Sequence, residues 1–463
     1  MFSRFTSLIM LLSITLAVSA KAPKYVFYFI GDGMGLGHVL TTETYYRTVL
    51  GKDDHITMLK FPVTSVALSY SASSKITDSA AAGTALSTGK KTNNSMLGMT
   101  PDSLPCYSIA KDFKDKGYGV AIATSVPIDD ATPGAFYAHV PTRKMFYEIG
   151  IDLAKSGYDM FAGSVLRGLK DKQGNETDLM KTIKKNGYTV VTGTAEYEKN
   201  KNKKKILLLN GDKTIQHNGY TIDSVAENLK LPYVTQACLD HMNMVSPDKF
   251  FMMIEGGNID WAAHANDAGA VVKEILNFNE AIDIAYKFYQ QHPDETLIVV
   301  TADHNTGGMA LGVAGGPREV NLKNFDYQKI SIEMFQSKCK EWLNSGKDMT
   351  WNEMRDFLKT NLGLYSAIKV SDQNDRLIQD KFHKTFIDKS SSDTKTLYTT
   401  YNEFVATVFN VLDHITGIGW TTKSHTGDFT PVYAIGCGAE KFSNLNNNID
   451  LPRKIAEIAE IKQ

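Results

Sequence analysis

Acidic side chains and histidines recur at a few places along this 463-residue chain, most of them at the end of a short apolar run. Asp32 lies in Gly31-Asp32-Gly33-Met34-Gly35, after the run Lys24 to Ile30. Asp129, Asp130 and Thr132 follow Tyr118 to Thr124, Glu255 closes Phe250 to Ile254, and Asp303 with His304 closes Thr296 to Thr301. An all-oxygen donor set suits Mg2+, whereas mixed carboxylate and imidazole sets without thiolates suit catalytic Zn2+. Asp260 and His264, four apart, fall on one helix face and can address one ion. His425, in Lys423-Ser424-His425-Thr426-Gly427, adds an imidazole from a loop.

Two residues add chemistry that a cation cluster lacks. Ser79, in Thr77-Asp78-Ser79-Ala80-Ala81-Ala82-Gly83-Thr84, is followed only by small residues, so its hydroxyl is expected to be open. The alanines can start a helix there, and the free N–H groups of a helix start favour an anion. Taken alone, the segment reads first as an alanine-rich helix start with Ser79 as an ordinary N-cap. Arg143, one short segment beyond Pro133, can hold a phosphate through two parallel N–H bonds.

The apolar runs are β-branched or aromatic and alternate with helical patterns such as Tyr107 to Gly117, which predicts an α/β fold. In an open parallel sheet the carboxyl ends of the strands face one crevice, where Asp32, Thr132, Glu255 and Asp303 would converge. The first glycine loop is not a dinucleotide fingerprint, because Leu36 and His38 occupy the places for the third glycine. Gly89-Lys90-Lys91-Thr92 likewise lacks the spacing of a phosphate loop. Residues from about 327 to 416 exceed what the strand rhythm needs. Their apolar stripes (Phe335, Cys339, Trp342, Leu343; Leu377, Phe382, Phe386; Phe404, Val408, Leu412) and the Thr350/Glu353 capping box predict a helical insertion, with a flexible joint at Ser390 to Asp393.

Composition narrows the partners. Lys+Arg 50 against Asp+Glu 51 leaves a net charge of -1, which offers no basic field for nucleic acid. The lysine-rich run Glu198 to Lys205 has no interleaved aromatic residues and reads as a solvated loop. Residues 1–20 combine Arg4, an apolar core from Leu8 to Val18 and small residues before Lys21, the pattern of a cleaved secretory signal. No later segment has the roughly 18 continuous apolar residues of a membrane span. An exported mature chain, periplasmic or extracellular, is expected. Its four scattered cysteines allow disulfides without requiring them.

Together the motifs GDGMG around Asp32, TDSAAAGT around Ser79, DATP followed by Arg143, EGGNIDWAAH, TADH and SHTG, in this order, resemble the alkaline phosphatase family across nearly the whole mature chain apart from the insertion. The resemblance implies a three-layer α/β/α fold with a large, mostly parallel central sheet, residues 21–463 forming a single catalytic domain. It implies two Zn2+ ions, one held by Asp260, His264 and His425 and the other by Asp32, Asp303 and His304. It also implies one Mg2+ at Asp32, Thr132 and Glu255, with Asp130 near its waters. The expected activity is hydrolysis of small phosphate monoesters through a phosphoserine at Ser79, with Arg143 on the phosphoryl oxygens. Many members are homodimers, so a homodimer is one assembly to expect.

Two departures carry expectations of their own. Thr306 stands where some bacterial relatives have a second histidine, so a hydrogen bond to the neighbouring zinc ligand is expected to be lost. Trp261 stands where others carry lysine or histidine, so Asp130 is expected to lack a cationic partner. A sulfatase or phosphodiesterase of the same superfamily, or a binding protein without turnover, are the competing readings. The sulfatase needs a Cys/Ser-x-Pro-x-Arg setting, and Ser79 is followed by Ala80, Ala81 and Ala82.

Overall fold

A computed structural model of the chain describes residues 22–212, 216–223, 228–316, 318–390, 392–395 and 400–461. The secretory signal expected at residues 1–20 lies outside the described residues, as do Lys21 and, in the expected joint, Ser391.

Ten strands form one sheet. In chain order they are β1 (Tyr25–Ile30), β2 (Val63–Leu68), β3 (Gly119–Thr124), β4 (Met160–Gly163), β5 (Thr189–Thr192), β6 (Ile206–Leu209), β7 (Phe250–Glu255), β8 (Thr296–Thr301), β9 (Thr430–Gly436) and β10 (Asn446–Asn447). Their spatial order is β10-β2-β9-β8-β1-β7-β3-β4-β6-β5. Every pairing is parallel except those of β9, which runs antiparallel to both β8 and β2. The central strands are apolar throughout because both sheet faces are covered, as expected of a parallel sheet.

The period-two alternation of β1 sorts its side chains between two layers. Phe27 and Phe29 join Val39, Tyr45, Val234, Phe278 and Ile282 on one face, under helices Leu36–Thr48, Leu231–Val245 and Ala268–Gln291. Val26, Tyr28 and Ile30 join Leu86, Phe113, Leu153 and Ile455 on the other. That second layer contains α1 (Ser79–Thr88) and helices Ile109–Asp115, Phe146–Ser156 and Asp450–Ile458. The result is the expected three-layer arrangement.

The register sets the site. Ile30 is paired with both Glu255 and Thr301, and Thr124 with Glu255, so β8, β1, β7 and β3 end level with one another. The chemistry-bearing residues lie at or just beyond these ends. Two short helices rise from the same rim, α2 (Ala131–Gly134) after β3 and α3 (Asn258–Ala265) after β7.

The segment between residues 327 and 416 contains α4 (Ile332–Asn344), α5 (Trp351–Leu362), α6 (Asp372–Phe382) and α7 (Glu403–Thr416), and the Thr350/Glu353 capping box is formed. Phe335, Met354, Leu358, Phe382, Phe404 and Phe409 give it an apolar cluster of its own. It is tied to the sheet layers by polar contacts at the start of α4. Asp223 accepts from Ser331 N (2.6 Å) and Oγ (2.7 Å), and Asp267 Oδ2 accepts from Ile332 N (2.7 Å). The four cysteines are unpaired. Among the described residues no helix is long and apolar enough to cross a membrane.

Candidate active site

Three imidazoles point Nε2 into one space, and their outer nitrogens explain why. His264 Nδ1 lies 2.6 Å from the Lys423 carbonyl and His425 Nδ1 2.8 Å from the Thr77 carbonyl. A carbonyl can only accept, so both Nδ1 atoms carry the proton, and in the neutral ring Nε2 presents a lone pair. His304 Nδ1 contacts Thr306 Oγ1 (3.2 Å), whose own hydroxyl donates to Asp260 Oδ1. That chain sets the same tautomer for His304. Thr306 therefore makes the hydrogen bond that the sequence was expected to lose, because its hydroxyl sits between the His304 Nδ1 donor and the Asp260 Oδ1 acceptor.

These lone pairs stand close together. His264 Nε2 and His425 Nε2 are 3.1 Å apart, with Asp260 Oδ1 3.4 Å from the first and 3.8 Å from the second. His304 Nε2 lies 3.3 Å from Asp32 Oδ1 and 3.3 Å from Asp303 Oδ2. Asp32, Asp303 and His304 thus form one compact set, and Asp260, His264 and His425 a second. Asp260 and His425 also reach His304, so the two sets adjoin.

The electrostatics call for positive charge. Asp32 Oδ1, Asp260 Oδ2 and Glu255 Oε1 are buried without a hydrogen-bond partner, a costly state for carboxylates unless a cation meets them. Burial, then the carboxylates of Asp260, Asp303 and Glu255, push Asp32 well above the usual carboxylate range. Burial and neighbouring acids raise Asp303 to about 7 and Glu255 to about 8. Burial, reinforced by His425 and His264, holds His304 well below its usual value. Partnerless oxygens and converging lone pairs fit divalent cations in both sets. Around the third expected set, Thr132 Oγ1 reaches Asp303 Oδ2 at 3.4 Å and Glu255 accepts from the Thr124 hydroxyl.

Ser79 Oγ lies 3.1 Å from His304 Nε2 and so faces the metal-fitting cluster. Its hydroxyl is not open as expected: the residue has no exposed surface, and His304 Nε2 stands against its oxygen. Nor is it the N-cap. Asp78 takes that role, accepting from Ala81 N (3.0 Å) and also from Ser95 N (2.9 Å), so α1 begins at Ser79 itself.

Arg143 reaches the same end of α1, with Nη1 3.8 Å from Asp78 Oδ2 and Nη2 3.0 Å from Asp130 Oδ1. Asp130 also has a second cation, Arg167 Nη2, at 3.1 Å. The expectation that Trp261 leaves Asp130 without a cationic partner is therefore corrected. Burial alone would raise the Asp130 carboxyl, but Arg167 and Arg143 together with the Ala131 N–H outweigh it and hold it down at about 2. Sequence reasoning missed Arg167 because it lies in a stretch without a motif. Its approach depends on β4 pairing with β3, which no local pattern encodes.

Glycine makes the tight turn after β1 possible. Gly33 has φ +69°, and a Cβ there would lie 2.8 Å from both Asp260 Oδ1 and Thr306 Oγ1. Its N–H donates to Asp303 Oδ1 at 3.1 Å.

Comparison with known proteins agrees with this geometry. The family model described as "Alkaline phosphatase" matches residues 23–461. The chain is 30% identical to alkaline phosphatase 4 of Bacillus subtilis over 448 residues, covering 94% of this chain and 88% of that one. Its structure resembles that of a cold-active alkaline phosphatase from the psychrophile Shewanella sp. with a TM-score of 0.78 and 25% identity, over 94% of this chain and 99% of that one. The Thermus thermophilus alkaline phosphatase shares the fold, with a TM-score of 0.78 and 21% identity, over 99% and 96% of the two chains.

Proposed function

The chain belongs to the alkaline phosphatase family and is a phosphatase, and from that premise we propose how its own residues hydrolyse phosphate monoesters. One observation carries the reading: Ser79 Oγ stands 3.1 Å from an imidazole nitrogen that faces a cluster of partnerless buried carboxylate oxygens, with Arg143 at the same helix end.

Asp260, His264 and His425 would hold one Zn2+, Asp32, Asp303 and His304 a second, and Asp32, Thr132 and Glu255, with Asp130 beside them, one Mg2+; ions there would stabilise the Ser79 alkoxide and the charge on the phosphoryl and leaving oxygens. The fork of Arg143 holds two non-bridging phosphoryl oxygens, which favours a dianionic monoester over a diester. Ser79 Oγ attacks phosphorus in line, the O–P bond forms, and the alcohol departs on the opposite side. A water then enters from that vacated side, breaks the Ser79 O–P bond and releases inorganic phosphate. Two inversions give retention at phosphorus. His304 Nδ1 carries the proton shared with Thr306, and its Nε2 lone pair would be taken up by the Zn2+ that it would hold, so His304 would not act as base for Ser79.

We place the mature chain outside the cytoplasm, periplasmic or extracellular, on the strength of the signal-like residues 1–20. We take 21–463 as one catalytic domain, with a homodimer as one possible assembly. The test uses the mature chain loaded with zinc and magnesium and assayed on an aryl phosphate monoester, a diester and a sulfate ester, with and without chelator. Monoester turnover that chelation and Ser79→Ala both abolish is the expected result. Preferred turnover of the diester or the sulfate ester, or monoester turnover that survives either treatment, overturns the reading.

A further inference from the structure

Arg167 lies 24 positions beyond Arg143 in sequence, yet both guanidinium groups meet at a single oxygen, Asp130 Oδ1. That oxygen also accepts from Ala131 N at 2.8 Å, which caps α2. Arg167 Nη2 approaches at ion-pair distance without an aligned hydrogen bond, so it acts on Asp130 as a charge. Its other contacts are fixed. Nε lies 3.3 Å from Asp129 Oδ1, the neighbouring Gly168 N donates to Asp129 Oδ2 (2.8 Å), and the guanidinium lies 4.0 Å from the centre of the Phe146 ring.

Asp129 and Asp130 are both buried, and the row Asp129, Arg167, Asp130, Arg143 alternates in sign, with Asp78 Oδ2 a further 3.8 Å beyond Arg143 Nη1. The Asp130 carboxylate is shared. If it belonged to Arg143 alone, it would compete with a phosphoryl group for the same N–H donors. With Arg167 beside it, part of that attraction is neutralised, so Asp130 holds Arg143 in place while competing less strongly with an incoming dianion. Coulomb interactions over 3 Å in a water-poor setting are strong enough for such sharing to matter.

We infer that Arg167 is a positioning residue for phosphoryl recognition, acting on Arg143 through their shared contact with Asp130. The inference rests on the reading that Arg143 binds the phosphoryl group. It does not place Arg167 in contact with substrate.

The test measures competitive inhibition by inorganic phosphate, kcat, KM and thermal unfolding on the zinc- and magnesium-loaded protein. Arg167→Gln is expected to raise the phosphate inhibition constant and KM by about tenfold with a smaller change in kcat, and Arg167→Lys to restore part of the loss. Because Arg167→Gln leaves buried Asp129 without its cation and can fail to fold, the double variant Asp129→Asn/Arg167→Gln provides the same reading in a charge-matched background. Placed on Asp130→Asn, Arg167→Gln is expected to add less than a twofold further effect, since the route through Asp130 is already gone.

An undiminished effect in the Asp130→Asn background means that Arg167 meets the phosphate directly, and overturns the inference. A fall in unfolding temperature with unchanged inhibition constant and KM makes Arg167 a purely structural residue, and also overturns it. Arg143→Ala separates the underlying reading: if it leaves phosphate inhibition unchanged, that reading fails, whereas a loss with Arg143→Ala and none with Arg167→Gln defeats the inference alone.

Discussion

His264 Nε2 and His425 Nε2 stand 3.1 Å apart, and each ring has its Nδ1 proton committed to a backbone carbonyl, of Lys423 and of Thr77 respectively. Two neutral imidazoles held this way cannot hydrogen-bond to each other through Nε2. Only a cation or a proton makes the contact favourable.

A direct expectation concerns His425. Replacing it with alanine removes one nitrogen from the set with Asp260 and His264, and is expected to lower bound zinc by one equivalent after dialysis and turnover by at least about a hundredfold. Metal analysis alongside the aryl phosphate assay checks both. Full zinc content in His425→Ala would remove this residue from the ligand set.

Thr306 links the two sets by accepting from His304 Nδ1 and donating to Asp260 Oδ1. Thr306→Val keeps the shape and deletes the hydroxyl, so zinc affinity should fall by about 10- to 100-fold, while Thr306→Ser should stay near the parent. Competition with a chromophoric chelator measures this without relying on turnover. Equal affinity in the valine variant would show that the hydroxyl chain is dispensable.

At Gly33, alanine meets two penalties at once. Its φ of +69° is strained for an L side chain, and the added carbon collides with Asp260 Oδ1 and Thr306 Oγ1 at 2.8 Å. The variant should lose about 1–3 kcal/mol of stability and most of its activity, as read by denaturant unfolding and turnover. A stable, active Gly33→Ala would mean that the turn tolerates a repositioned Asp260.

Asp267 gives a pH signature at the root of the insertion. Burial, opposed by hydrogen bonds from Gln328, Ile332 and Ala270, raises its carboxyl from 3.8 to about 6. The fold therefore holds this proton more tightly than the unfolded chain does. The resulting stabilisation is complete below pH 3.8 and is lost as pH rises through 6, about 3 kcal/mol in all. Asp267→Asn cannot titrate, so its stability relative to the parent should improve as pH goes from about 4 to about 7. Unfolding curves at both pH values decide it, and a pH-independent difference would contradict the assignment.

Much of this architecture is legible in the sequence because burial on both faces forces the central strands to be unbroken apolar runs. The run Thr296–Thr301 was bounded on both sides by its own composition. The paired Asp260 and His264 were legible because helical spacing places both on one face. What could not be read is contact made by neighbours across the sheet. Arg167 meets Asp130 only because β4 lies beside β3, and the carbonyls that orient His264 and His425 belong to unremarkable residues whose side chains are irrelevant. The burial of Ser79 is illegible for a related reason: small flanking residues do not keep other parts of the molecule away, and Ser79 with its three alanines is fully buried, with His304 against its oxygen.

Strand β2 reaches the sheet only through β9 and β10 among the described residues, so a segment at Val63–Leu68 waits for partners at Thr430–Gly436 and Asn446–Asn447. During synthesis almost the whole chain must emerge before that edge of the sheet, three of its ten strands, can close. Closing so long a loop makes the step slow compared with forming the parallel units nearby. His425 lies five residues before β9 and bridges to Thr306 beside β8, so the imidazole that completes its set arrives with this final strand. The proposed ion centre is thus among the last features the chain can assemble, and a nascent or C-terminally shortened chain would carry Ser79 without the His425 imidazole beside it.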